Sequence, residues 1–156
     1  MSHLSQQARL GAYAPAMFDP ARFAPQYPPD LGLEPLHLDI DLWLDLAESM
    51  AQGSVTTLVQ ANRQGAQEIA FDAVGLAVAG VEDGDGAALS WRADGEKLYV
   101  RWLQPFAKGQ QAHVRIRYSV TAPTAGLYFS RPTAESPDAP WYAVTDHETE
   151  RARHWL

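Results

Sequence analysis

From Leu36 onward the chain takes up a period of two: Leu36, Leu38, Ile40, Leu42, Leu44 and Leu46 fall on one side, His37, Asp39, Asp41, Trp43 and Asp45 on the other. Side chains alternate across an extended backbone, so this run predicts a long half-buried strand with an acidic solvent face. Gly53 is expected to end the connection that follows, and alternation resumes over 54–62 through Val55, Thr57, Val59 and Ala61. Shorter strands are expected over 68–73 and 76–81, then a turn at Asp83-Gly84-Asp85-Gly86. Two more, over 88–92 and 97–103, are joined by Ala93-Asp94-Gly95-Glu96 as a hairpin loop. The clearest later strand spans 112–121, with Val114, Ile116, Tyr118 and Val120 inward and His113, Arg115, Arg117 and Ser119 outward. Beyond Pro123, strands over 126–130 and 141–145 flank a loop rich in Pro, Ser and Asp, and a charged segment with a short helical end closes the chain. Many short strands with turn signals and almost no helical periodicity predict an all-β fold, a curved sheet or β-sandwich.

Residues 1–35 differ. Pro15, Pro20, Pro25, Pro28, Pro29 and Pro35 forbid a long helix and starve a sheet of donors, which predicts an extended N-terminal arm. Its Leu10, Tyr13, Met17, Phe18, Phe23 and Tyr27 favour contact with the body over a disordered leader, the alternative reading. The expected organisation is therefore an arm over 1–35 and a β domain over 36–156. Trp155-Leu156 is an apolar end that needs something to pack against, so the expectation is a chain cut before its natural terminus.

Composition narrows the function classes. The 156 residues suffice for one core-forming domain, and a formal charge of -7 offers no basic footprint for nucleic acid. Zero Cys excludes disulfides and Cys-ligated metal sites. No apolar run approaches the roughly 20 residues of a membrane span, and no basic-then-apolar leader opens the chain; a cytoplasmic location is expected.

The candidate chemistry clusters near the end. His147-Glu148-Thr149-Glu150-Arg151 resembles half of a zinc-binding His-Glu-x-x-His helix, but the second His position is Arg151, a fixed cation that cannot ligate. His147, Glu150 and His154 would share one face of a helix, and a solvated surface explains them better than a metal site. Asp39, Asp41 and Asp45 lack the loop of a calcium site, and His37 and His113 read as surface residues. No nucleophile elbow, phosphate loop or dinucleotide fingerprint is present. No catalytic constellation and no metal site is expected within this chain.

Three motifs in order carry a family resemblance. His37-Leu38-Asp39-Ile40-Asp41-Leu42, Gly126-Leu127-Tyr128-Phe129-Ser130, and Thr145-x-x-Glu148-x-x-x-Ala152-Arg153 resemble segments of the N-terminal domain of the aminopeptidase N and leukotriene-hydrolase family of zinc metallopeptidases, the gluzincins. The likeness covers residues 33–156. It implies a saddle-like domain with a mixed sheet, packed against a thermolysin-like catalytic domain that holds the zinc; zinc ligands and catalytic groups would follow Leu156. It also implies that Glu148 binds the α-amino group of a peptide substrate. A carboxylate meets a terminal ammonium through a charge-assisted hydrogen bond, which suits an exopeptidase. Asp146 stands where the family has Gln, so a side chain expected to line the first specificity pocket is an anion here, which favours basic N-terminal residues. The resemblance leaves Arg153 a structural pairing role and Ala152 a close backbone approach.

The expected function is thus that of a non-catalytic N-terminal domain of a zinc metallo-aminopeptidase, inactive alone. Its partners would be a peptide N-terminus and the catalytic domain, with self-association through the exposed face. The alternative is a stand-alone β-sandwich binding peptides or glycans, or acting as a scaffold, with Trp43, Trp91, Trp102 and Trp141 as an aromatic platform.

Overall fold

Among residues Leu31–Leu156, which the computed structural model describes, the chain forms nine strands and one 3-10 turn. These are β1 (Leu33–Asp45), β2 (Met50–Ala61), β3 (Glu68–Asp72), β4 (Ala77–Asp83), β5 (Ser90–Asp94), β6 (Lys97–Arg101), β7 (Gln111–Thr121), β8 (Leu127–Ser130), β9 (Tyr142–Thr145) and the turn Arg151–His154. They build a four-stranded sheet in the order β1-β2-β7-β4, a three-stranded sheet β3-β6-β5, and the hairpin β8-β9. The fold is all-β, and every named ladder is antiparallel, where the resemblance implied a mixed sheet. The short helical end is a single 3-10 turn. The expected arm over 1–35 lies outside the described residues except for its last five; of these, Leu33, Glu34 and Pro35 already belong to β1.

Alternation on β7 organises the core. Val114, Ile116, Tyr118 and Val120 are all buried, as their spacing predicts. Their cross-strand partners Thr57, Val55 and Ala51 continue the same inner face on β2, and Val81 continues it on β4. Ile69, Leu98, Val100 and Trp102, from and beside the three-stranded sheet, close over this face to form one core. A smaller cluster joins Ala51, Val120, Leu127 and Trp155, which ties the chain's last turn to the large sheet and to β8.

Two expectations about β1 and β2 change. Leu38, Ile40 and Leu44 lie opposite Thr57, Val55 and Ala51, yet remain 46%, 43% and 40% exposed, because this face is only partly covered among the described residues. The strand is not half-buried there. Gly53 does not end a connection but sits inside β2 opposite Leu42, where a Cβ would come within 2.0 Å of the Asp41 carbonyl oxygen. Its missing side chain lets the two backbones close up.

Candidate functional site

The β8–β9 ladder runs Ser130↔Tyr142 to Leu127↔Thr145 and gains one more rung, in which the Asp146 N–H donates to the Gly126 carbonyl at 2.9 Å. The chain then leaves the hairpin in a tight turn. Asp146 Oδ1 accepts the Glu148 N–H at 3.0 Å, an Asx-type contact that shapes the backbone under Glu148. The other Asp146 oxygen pairs with Arg151, whose guanidinium also donates to the Tyr128 hydroxyl at 3.4 Å. The Asp146 carboxyl is held below the ordinary carboxylate range, chiefly by the Glu148 amide, with Arg151 adding to this against the loss of solvent.

Glu148 itself is exposed, and among the described residues its carboxylate has no hydrogen-bond or ion-pair partner. Its neighbours differ: Asp146 pairs with Arg151, and Glu150 lies 3.6 Å from Arg153. Of the three carboxylates in this segment, the middle one is without a partner among the described residues.

The platform beneath is well tied. Gly126 has φ +79°, and a Cβ there would lie 2.0 Å from the Arg151 carbonyl oxygen and 2.9 Å from Trp155 Cδ1. Only glycine allows the hairpin start to press so close to the terminal turn. Arg153 reaches Asp72 at 3.2 Å and Glu96 at 3.1 Å, and its own carbonyl accepts the Val74 N–H at 2.9 Å. Lys97 shares Asp72 at 2.5 Å. Tyr118, deep on β7, donates its hydroxyl to the Trp155 carbonyl at 2.7 Å. Sequence reading singled out Asp146, Glu148 and Arg153 but not Tyr118, Asp72 or Arg151 as parts of this assembly: Tyr118 and Asp72 reach it from distant strands, and the Arg151–Asp146 pair depends on the shape of the turn between them.

The exposed side of the hairpin carries Tyr128, Tyr142 and Val144 on one face, and Arg151 links that face to the Asp146 turn. It is an apolar surface beside an unpaired carboxylate. The four tryptophans named as an alternative platform do not form one: Trp102 is buried in the core, while Trp43, Trp91 and Trp141 belong to β1, β5 and the lead-in to β9.

The His147 segment does not fit zinc. Residues 147–150 form a turn rather than a helix, the His147 ring stacks on Trp155 with centroids 5.4 Å apart, and Arg151 is committed to Asp146. Among the described residues no group of three or more His, Cys, Asp or Glu side chains is arranged to hold a metal. No described helix is long and apolar enough to cross a membrane.

The model of the Peptidase M1 N-terminal domain matches residues 34–156, and the chain belongs to that family. Among solved structures it is similar to the M1 zinc metallopeptidase from Deinococcus radiodurans, at 26% identity and TM-score 0.54, over 62% of this chain and 22% of that one. A mutant of the M1 zinc metallopeptidase from Deinococcus radiodurans aligns at 25% identity and TM-score 0.63, over 80% and 28%. Native leukotriene A4 hydrolase from Saccharomyces cerevisiae shares the fold, at 21% identity and TM-score 0.64, over 80% and 20%. No curated protein matches the sequence. The chain thus spans less than a third of the length of these solved structures.

Proposed function

We propose that this chain serves as the N-terminal, non-catalytic domain of a zinc aminopeptidase, with Glu148 as the anchor for the substrate's α-amino group. The observation that carries the reading is the unpaired, exposed Glu148 carboxylate on a turn built by Asp146, within the family's own segment. A peptide N-terminus is an ammonium, and an unpaired carboxylate beside a docking surface is the group to receive it. Asp146 lies on the substrate side in this reading. One of its oxygens holds the turn and the other pairs with Arg151, so its pull on a basic first residue is weaker than a free carboxylate's.

Zinc and the groups that activate water belong, by the same reading, to the catalytic domain, and this chain supplies position and charge. The apolar face of Tyr128, Tyr142 and Val144 is the surface offered to that domain. When the face is uncovered, self-association is the cost. The absence of Cys suits a cytoplasmic setting.

The test is Glu148→Ala in the enzyme that contains this domain together with its catalytic domain. Loss of a charge-assisted contact should lower kcat/KM for aminoacyl substrates roughly 10–150-fold, with N-blocked peptides little affected. Equal losses for both substrate types would remove the anchoring role. The 156-residue chain alone should not turn over an aminoacyl anilide, and metal-dependent turnover by it would overturn the non-catalytic assignment.

A further inference from the structure

A cavity of about 580 Å³ lies between the inner face of the four-stranded sheet, the three-stranded sheet and the terminal segment. Leu38, Val55 and Ile116 line it from one side, Leu98 from another, and Ala152 and Leu156 from the segment that carries the Glu148 turn. This volume falls within the range of about 300–1,000 Å³ typical of small-molecule sites.

Two residues in its walls hold polar atoms that are buried without a partner: Thr57 Oγ1 on the sheet side and Arg153 Nε on the terminal side. Thr57 is 1% exposed and is the one buried polar side chain of the described core. An orphaned hydroxyl in such a place destabilises the fold, and a β-branched apolar residue there would avoid the cost. The charges at the cavity cancel, with Lys97 and Arg153 set against Asp72 and Glu150. An anion and a cation would each find two partners and two repellers. Water has partners at the more exposed Lys97, Asp72 and Glu150, but the apolar part of the lining offers it only the two orphan atoms, and an ordered water needs about 2–4 polar partners. Displacing such poorly held water with an apolar body gains affinity.

We propose that this cavity binds a neutral, mainly apolar small molecule that carries one hydrogen-bonding group. Its body lies against Leu38, Val55 and Ile116, and its polar group meets Thr57 or the Arg153 Nε–H. One wall is the terminal segment, so an occupant also braces the platform under Glu148.

The probe is 1-decanol, titrated into the full chain by calorimetry and amide NMR, with decanoate and decylammonium as charged counterparts. Saturable binding of 1-decanol is expected, with shifts concentrated at Thr57, Leu98 and Ala152, and at least about tenfold weaker binding of both ions. Thr57→Val should keep the fold, with an unchanged or higher melting temperature, and weaken 1-decanol roughly 3–10-fold. Val78→Phe, which places a ring in the same space, should abolish binding. Non-saturating uptake, equal uptake of all three probes, or full 1-decanol affinity in both variants overturns the proposal. The readout involves no catalysis, so its failure leaves the aminopeptidase reading untouched.

Discussion

Tyr118 on β7 and Trp155 in the last turn are bound through a single buried hydrogen bond, hydroxyl to carbonyl, at 2.7 Å across 37 residues of sequence. The contact fastens the segment carrying Glu148 to a buried residue on an inner strand of the large sheet. Burial at this position pushes the Tyr118 phenol up to about 12. Through this bond the stability of the core reaches the site.

Tyr118→Phe leaves the Trp155 carbonyl without its donor, so unfolding free energy should fall by about 1–3 kcal/mol in urea titrations, and amides of 149–156 should exchange faster than those of β7. The pH dependence follows from the raised value. Folding favours the neutral phenol, so its contribution is complete below pH 10 and disappears as pH rises from 10 through about 12. Tyrosinate absorbance should show one late step in the folded wild type that is missing in Tyr118→Phe. Equal alkaline profiles for the two proteins would contradict the assignment.

Gly126→Ala should be severe for its size. The position needs φ +79°, and the added methyl would meet the Arg151 carbonyl at 2.0 Å, backbone against backbone. A loss of about 3 kcal/mol or more is expected, from left-handed strain plus the forced separation of hairpin and turn. Glu148→Ala, on an exposed side chain without a partner among the described residues, should change stability by no more than roughly 0.5 kcal/mol. Parallel thermal melts of the two variants check the contrast: a stable Gly126→Ala protein would mean the close approach is not present in solution.

Asp146 gives a prediction at acid pH. Its carboxyl is held down first by the Glu148 amide and then by Arg151, so its stabilising effect is present above the ordinary carboxyl value of 3.8 and lost as pH falls through its lower folded value. Carboxyl carbon NMR should place its midpoint below that of a free Asp, and the Glu148 amide should lose protection over the same window. Asp146→Asn keeps an acceptor but not the charge, so this variant should show no acid-linked loss of Glu148 protection. A normal midpoint in the wild type would show that the turn opens in solution.

How much of this was readable beforehand varies with the range of the interaction. The alternation Val114, Ile116, Tyr118, Val120 identified both the strand and its buried side, because period-two patterning is a local property of an extended chain. The Asp83-Gly84-Asp85-Gly86 turn was equally legible, and there Asp83 Oδ1 takes the amides of Asp85 and Ala87 at 3.0 and 2.8 Å. On β1 the same reasoning assigned the correct face to Leu38 and Ile40 but not their exposure: alternation tells which side is apolar, and only tertiary packing tells whether anything lies on it. Glu148 was reached through a motif. Arg151, Tyr118 and Asp72 were not, since each meets the terminal segment through side chains whose partners are chosen by the fold. Gly53 was misread because a glycine that ends a strand and one that lets two strands close up look alike in sequence.

The uncovered face of β1 supplies the last prediction. Leu38, Ile40 and Leu44 stand exposed on one side of a strand that, among the described residues, pairs only with β2, so an apolar stripe adjoins a row of backbone groups that have no ladder partner there. Such an edge invites pairing with another chain, and copies of this protein are the nearest supply in a concentrated solution. Asp39 and Asp41 on the other side, with a formal charge of -7 overall, oppose that approach by repulsion. Association should therefore be weak at low salt and should strengthen as ionic strength rises, the reverse of a contact held by ion pairs. Light scattering should report an apparent mass that grows with concentration and with salt. Ile40→Lys puts a cation in the middle of the stripe, so it should remove the part of the association that runs through β1 and lower the apparent mass, while its melting temperature stays nearly unchanged. A wild-type chain that remains monodisperse at high concentration and high salt would mean that the stripe is covered in solution, and Ile40→Lys would then lower stability instead of association.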